Sequence, residues 1–253
     1  MFDSKTEPHN QIRVPHSELR ILLWDIDGTL MRSNRAGAYK DYFIPTLEKV
    51  YGTAGRLAEM TVSGMTDTQI AYESLKDEGF EVADIFTKLD EFIEVLGNEM
   101  RRVIAQFENP YGVFDGVRVI LAETKNNPIF VNSLLTGNLS TVAEAKLQNV
   151  RLWHYFENQP KAFGEISHQR ADLAKFVGKE FNQFFQTELN PEQFIIIGDT
   201  PNDIACARAF GAKAVAVGTG RNHSTEELAK HNPDILLENL TNTQEVIKIF
   251  TQL

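Results

Sequence analysis

The chain has one cysteine, Cys206, so it can close no disulfide on itself. Cys206 lies in "DIACARAFGA", where small neighbours predict a closely packed helix and a small apolar role for the thiol. Long apolar runs are also missing. None is long enough to span a bilayer, and "MFDSKTEPHNQIRVPHSE" at the start is polar, with two prolines and no signal-peptide stretch. Residues 1–18 read as a flexible or loosely docked tail, and the protein as cytoplasmic. Positive charge is in deficit: 25 Lys and Arg stand against 35 Asp and Glu, a formal net charge of −10. No basic stripe is left for nucleic acid, and nothing suggests a membrane partner. An anionic small substrate is still allowed, because a metal and one or two cations decide a local field.

What is present is enough apolar material for a sizeable core, 42% of 253 residues. Short apolar runs occur at Leu19–Trp24, Ile129–Leu135, Phe194–Ile197, Ala214–Val217 and Asp234–Leu237. Between and after them lie helical patterns at Gly116–Asn126, Ser140–Asn149, His168–Phe185, Asn202–Phe210, Ser224–Lys230 and Thr241–Thr251. Continuous apolar strands alternating with helices predict a parallel sheet covered on both faces, with ligands beyond the carboxyl ends of the strands. No repeat or low-complexity segment interrupts this.

One region breaks the alternation. Between about Ser33 and Gly112 no strand is expected. "AGAYKDYFIPTLEKVYG", "MTDTQIAYESLKDEG" and "DEFIEVLGNEMRRVIAQF" read as helices, punctuated by Gly52, Gly79 and Gly97, with Pro45 placed to kink or split the first. The expected organisation is a tail (1–18), an α/β core (19–33 and 113–253) and an inserted all-helical cap (34–112). The linkers near Met31–Arg35 and Asn109–Asp115 would act as hinges.

Three strands run into polar residues. "ILLWDIDGTL" aims Asp25 and Asp27 past the end of its apolar run, "IFVNSLLTGN" ends in Thr136, Gly137 and Asn138, and "FIIIGDTPND" ends in Asp199, with Asp203 opening a helix. In a parallel sheet these ends share one edge. Three or four carboxylates would then converge, and their repulsion needs a cation. Hard oxygen ligands with open positions suit Mg2+, which takes one or two carboxylates plus a phosphate. One carboxylate can attack phosphorus, a neighbour two residues away can move the proton, and Thr136 with backbone N–H groups can hold phosphoryl oxygens.

"WDIDGTL", "LLTGN" and "GDTPND" resemble the first, second and fourth motifs of the haloacid dehalogenase (HAD) superfamily. The helical stretch after the first motif is similar to its C1 cap, and the chain as a whole to the phosphoglycolate-phosphatase-like branch. The resemblance implies a Rossmann-like HAD core. It makes Asp25 the nucleophile and Asp27 the general acid/base, with Asp25, the Asp27 carbonyl and Asp199 on Mg2+ and Asp203 supporting them. Gly28, Thr136, Gly137 and Asn138 would contact phosphate. The third-motif cation is expected to be Arg170, which opens its helix, with Lys161 as the other candidate.

The implied function is a Mg2+-dependent phosphatase acting on a small phosphorylated metabolite through an aspartyl-phosphate, as a monomer or homodimer. A phosphomutase of the β-phosphoglucomutase type shares the first steps. A non-catalytic module that binds Mg2+ and phosphate is the reading from another class. The cap turn "SGMTD" would bring Met65, Thr66 and Asp67 toward the leaving group and select the substrate; read by itself, Gly64–Asp67 is equally an N-cap and turn before a helix. Trp24 is expected to pack in the core, and His154, His168 and His223 to be structural or solvated.

Overall fold

The structure, a computed structural model, describes residues 14–253. Most of the expected tail lies outside the described residues. Its end, His16–Glu18, forms one 3-10 turn, and the His16 carbonyl accepts a hydrogen bond from Gln193 Nε2 at 2.6 Å.

The chain enters on strand β1 (Arg20–Trp24) and turns into a short strand β2 (Met31–Ser33). Four helices follow: α1 (Lys40–Tyr51), α2 (Asp67–Leu75), α3 (Val82–Thr87) and α4 (Leu89–Gln106). β3 (Tyr111–Val113) brings the chain back. Then α5 (Val117–Asn126), β4 (Phe130–Leu134), α6 (Ser140–Asn149), α7 (Arg170–Phe185), β5 (Phe194–Gly198), α8 (Pro201–Phe210), β6 (Lys213–Val217), α9 (Thr225–Ala229), β7 (Ile235–Leu237) and α10 (Thr243–Gln252) alternate to the end. The main sheet is wholly parallel, in the order β4-β1-β5-β6-β7. The five predicted strands all appear, each end within about one residue of its predicted place, a match closer than boundary reading usually gives.

Both faces of the sheet are buried, which is why its strands are continuous apolar runs. Ile21 and Leu23 point to the side covered by α7 and α8, with Ile196 and Ala214. Leu22 and Trp24 point to the other side, into a cluster that continues through Phe43, Phe92 and Met100 of the inserted helices. Trp24 packs edge-on against Phe250 at 5.8 Å, and its buried indole N–H donates to Asn132 Oδ1 at 2.9 Å. A buried indole needs such a partner.

The inserted stretch differs from expectation in three places. β2 and β3 pair antiparallel, Arg32 opposite Gly112, so the expected linkers form a two-stranded ribbon. Pro45 does not split α1, which runs through it from Lys40 to Tyr51. Proline removes the N–H that would have bonded the Asp41 carbonyl, and Arg102 Nη2 on α4 donates to that carbonyl instead, at 2.8 Å. Gly97 is not punctuation. It sits inside α4, where a Cβ would collide with the side chain of Thr141 on α6, so the glycine is there for close helix packing.

Candidate active site

Register sets the site. Trp24 lies opposite Leu134 of β4 and Ile197 of β5, so the residues that follow all three strands emerge at one level. The chain leaves β1 toward β4 and returns on the other side of β1 as β5. That is a topological switch point, where a crevice opens at the carboxyl edge. The Asp25 N–H donates to the Ile197 carbonyl at 2.9 Å, which fixes the first acid at this edge. Gly28 turns the chain with φ of +91°, and a side chain there would run into the Asp199 carboxylate. Both the turn and the close approach require glycine.

Asp25, Asp199 and Asp203 meet here, all at most 5% exposed, each offering an oxygen within 4.8 Å of the others. Arg170, at the start of α7, places Nη2 2.9 Å from Asp25 Oδ1 and 2.5 Å from Asp203 Oδ1. Asp203 Oδ2 accepts from the Thr200 N–H at 3.1 Å and its hydroxyl at 2.6 Å. Asp199 Oδ1 accepts from the Thr29 hydroxyl at 3.1 Å. Burial pushes Asp25 up to about 6; Arg170 pulls it down, while Asp203 and Asp27 add like charge. Burial pushes Asp199 well above the carboxylate range, and Asp25 and Asp203 add to the shift. On Arg170 burial works the other way, but the carboxylates of Asp203 and Asp25 outweigh it and hold the guanidinium charged. Arg170 Nε is buried without a partner.

One arginine therefore stands against three buried acids. That imbalance is what a divalent cation would relieve, and the donors are hard oxygens. Asp25 Oδ2 and Asp199 Oδ2 have no hydrogen-bond partner among the described residues, so these two acids have an oxygen to give. Arg170 and Thr200 hydrogen-bond both oxygens of Asp203, which braces Arg170 and the loop beside the other two acids.

Asp27 stands at the rim with its side chain 44% exposed. Its Oδ2 accepts from Asn138 Nδ2 at 2.9 Å and from Lys146 Nζ at 2.6 Å. Thr136 is fully buried behind Asn138, its hydroxyl accepting from Asn138 Nδ2 at 2.9 Å, so its contact here is to Asn138. Lys146 escaped the reading of the sequence. Its signal was a charge on an apolar stripe: it follows Val142 by four residues and Ala143 by three, and both are buried. Burial pulls its ammonium down, yet the Asp27 carboxylate more than reverses this and holds it well above the usual lysine range. Lys161 lies apart, donating to the Gln159 carbonyl at 2.8 Å with its ammonium 5.5 Å from the Trp153 ring. Cys206 is buried behind Arg170, and its thiol is pushed up to about 12 by burial.

The inserted helices roof the site over a chamber of about 450 Å³ that reaches Asp25, Gly28, Gly137 and Arg170. Tyr42, Met60, Val62 and Met65 line its apolar wall, with Arg32 and Arg221 among its cations. The turn Ser63–Asp67 is seated directly on the core. The Asp67 N–H donates to the Gly137 carbonyl at 2.7 Å, the Asp67 carboxylate accepts from the Leu139 N–H at 2.7 Å, and Asn202 Nδ2 donates to the Gly64 carbonyl at 2.9 Å. Burial pushes Asp67 up to about 7, against the pull of the Leu139 N–H and Lys146. Of the three residues expected to face substrate, Met65 and Asp67 line the chamber; Thr66 instead caps α2, accepting from the Gln69 N–H at 3.1 Å.

The chain is similar to several known proteins. A HAD-hydrolase-like family model matches residues 169–243, from just before Arg170 to the start of α10. Phosphoglycolate phosphatase 1 of Pseudomonas aeruginosa is 25% identical over 247 residues, covering 94% of this chain and 81% of that protein. Among solved structures, a haloacid dehalogenase-like family hydrolase from Streptococcus pneumoniae aligns with a TM-score of 0.57 at 20% identity, covering 91% of this chain and 99% of that one. A Thermotoga maritima chain described as a β-phosphoglucomutase aligns with a TM-score of 0.57 at 18% identity, covering 91% and 99%. At such identities the structures speak for the fold. No helix among the described residues is long and apolar enough to cross a membrane.

Proposed function

We propose that this chain, a HAD-like hydrolase of the phosphatase kind, is a Mg2+-dependent enzyme that hydrolyses a small organic phosphate monoester through an aspartyl-phosphate. The observation that carries the reading is the pairing of Asp25 with Arg170 inside an under-compensated set of buried carboxylates, opening on a roofed chamber. One carboxylate oxygen of Asp25 would attack phosphorus while the bond to the leaving oxygen breaks. Asp27 would give that oxygen a proton, then take one from the water that attacks the aspartyl-phosphate and frees Asp25 and inorganic phosphate. Arg170 would orient Asp25 and neutralise phosphoryl charge as a bidentate cation. Asn138, Gly137 and the backbone of the Gly28 loop would face the phosphoryl oxygens. Asp25, the Asp27 carbonyl and Asp199 would hold the metal, which when bound supplies positive charge at the phosphoryl group.

The helices of 34–112 would form the cap. A roof over the strand ends excludes water from a reactive acyl phosphate and restricts entry to small phosphates. Met65 and Asp67 in the chamber wall would bear on substrate choice. The test is release of inorganic phosphate from a panel of phosphorylated metabolites, phosphoglycolate included, with Mg2+ and with EDTA. Metal-dependent release from one or a few members supports the reading. Isomerisation of a sugar phosphate without free phosphate would favour the mutase, and inertness toward every member would overturn enzymatic function at this site.

A further inference from the structure

Lys146 is the most buried cation that the reaction as described leaves unused. Its side chain is 3% exposed, whereas its partner Asp27 is 44% exposed. Stability alone does not account for such a pair. The Asp27 carboxylate offsets the desolvation of the ammonium, but an apolar side chain of similar length would fill the space with no such cost to offset, and replacing a buried ion pair in this way is often neutral or stabilising.

The ammonium sits where four parts of the fold meet. Nζ donates to Asp27 Oδ2 of the β1 loop at 2.6 Å and to Asn138 Oδ1 of the β4 loop at 2.7 Å. It also lies 5.8 Å from the ring centre of Tyr42 on α1 and 6.0 Å from that of Tyr111 on β3. Asn138 Nδ2 in turn donates to the same Asp27 oxygen at 2.9 Å and to the Thr136 hydroxyl at 2.9 Å. One oxygen of Asp27 is therefore clamped twice, while Oδ1 has no hydrogen-bond partner among the described residues, and Asp27 lines the chamber. The two tyrosine rings and the low exposure of the side chain enclose the ammonium in protein.

We propose that Lys146 is a positioning residue: its ammonium, with Asn138, clamps one oxygen of Asp27 so that the other is aimed at the proton-transfer position above Asp25. The inference rests on the phosphatase reading of the same site. A carboxylate on an exposed rim otherwise samples several rotamers, and misplacement of a catalytic group by an ångström costs orders of magnitude in rate. Asp27 takes part in both halves of the reaction, but its demand differs between them. A 4-nitrophenolate leaving group departs without a proton, an alkoxide does not, and water attack on the aspartyl-phosphate needs a base in either case.

The test uses the full chain with Mg2+, comparing wild type, Lys146→Met and Lys146→Gln on 4-nitrophenyl phosphate and on an alkyl phosphate. With the nitrophenyl ester both variants should release a burst of about one nitrophenolate per active site at a near wild-type rate, then turn over about 10²-fold more slowly than wild type. With the alkyl ester the burst should vanish and turnover fall at least as far, with KM within about threefold. In an Asp27→Asn background, Lys146→Met should cost nothing further, because a clamp acts only through what it holds. Variants that slow the burst as much as the turnover, or that still slow the Asp27→Asn enzyme, would overturn the clamp. So would a Lys146→Gln enzyme that behaves like wild type. The alkyl phosphate is the panel member that the wild type hydrolyses, and a wild type inert toward the whole panel overturns the phosphatase reading and the clamp with it.

Discussion

Two buried acidic places in this molecule are built in opposite ways. On α4, Glu99 is 6% exposed, and Lys49 and Arg102 close on it at 2.5 Å and 2.6 Å. Burial pushes its carboxyl up, but those two cations outweigh it and hold it below the usual carboxylate range. At the strand ends Asp199 is 4% exposed and receives one threonine hydroxyl, and burial with two neighbouring acids pushes it far up. A carboxylate that only holds helices together is given its counter-charges by the chain. A carboxylate left short of them in a crevice has a place for something from outside. The contrast between Glu99 and Asp199 is thus a physical reason, independent of any family, for a cation at the sheet edge.

The contrast breaks most visibly at Asp25. Asp25→Asn keeps the shape and removes both the proposed nucleophile and one of the three charges. Turnover should fall by about 10⁴-fold or more. The folded state should tolerate the change, since a repelling charge is gone. Phosphate release and thermal unfolding of the same preparation check both halves. Measurable steady-state turnover by a verified Asp25→Asn protein would remove Asp25 from the nucleophile's role.

Much of this was legible in the sequence. The strands were readable because a two-sided parallel sheet writes itself as continuous apolar runs, and the acids because they follow those runs directly. What escaped depends on contacts distant in sequence. Nothing near Pro45 says that Arg102 will take over the Asp41 carbonyl. Nothing near Gly97 says that Thr141 will press against it. Arg170, by contrast, is the cation the sequence favours over Lys161, and the structure brings it to Asp25 and leaves Lys161 on Gln159. Thr66 reads in the sequence as a substrate contact or a helix cap, and the structure makes it the cap of α2. Lys146 could have been seen as a cation on an apolar stripe, but its partner is 119 residues away.

The next effect concerns pH. Asp67 is pushed up to about 7, so the folded protein holds this proton more tightly than the unfolded chain does. For a carboxyl raised on folding, the stabilisation is complete below the unfolded value, near 4, and is lost as pH rises toward 7. Asp25, raised to about 6, acts in the same direction. The metal-free protein should therefore unfold more readily at pH 8 than at pH 5. Asp67→Asn keeps an acceptor for the Leu139 N–H and removes the titration. It should narrow that difference by up to about 3 kcal/mol, read from urea unfolding in EDTA. An unchanged pH dependence would show that Asp67 is not a buried charge in solution.

Metal should then sharpen the contrast. If Asp25 and Asp199 take a cation, Mg2+ at about 100 times its dissociation constant should add roughly 2.7 kcal/mol of stability. Asp199→Asn should abolish most of that gain, and Glu99→Gln should leave it intact. Thermal unfolding with and without Mg2+ reads this without any substrate. A gain that survives in Asp199→Asn would place the ion elsewhere.

The smallest effect belongs to Glu99 itself. Its two partners are largely solvated, Lys49 59% exposed and Arg102 42% exposed, so solvent screens much of the attraction. Arg102 also reaches the Asp41 carbonyl freed by Pro45, which ties the ion pair to the continuity of α1. Glu99→Gln keeps hydrogen-bond acceptance and loses the charge, so the two cations come to face each other across a neutral amide. The expected loss is about 1 kcal/mol, with kcat and KM unchanged, because no part of this cluster reaches the chamber. The loss should shrink in high salt, which screens surface charge, whereas Asp199→Asn should show no such recovery of Mg2+ binding. A Glu99→Gln protein with impaired turnover would mean that the helical layer transmits its state to the strand ends, and the two acidic places could no longer be treated as separate.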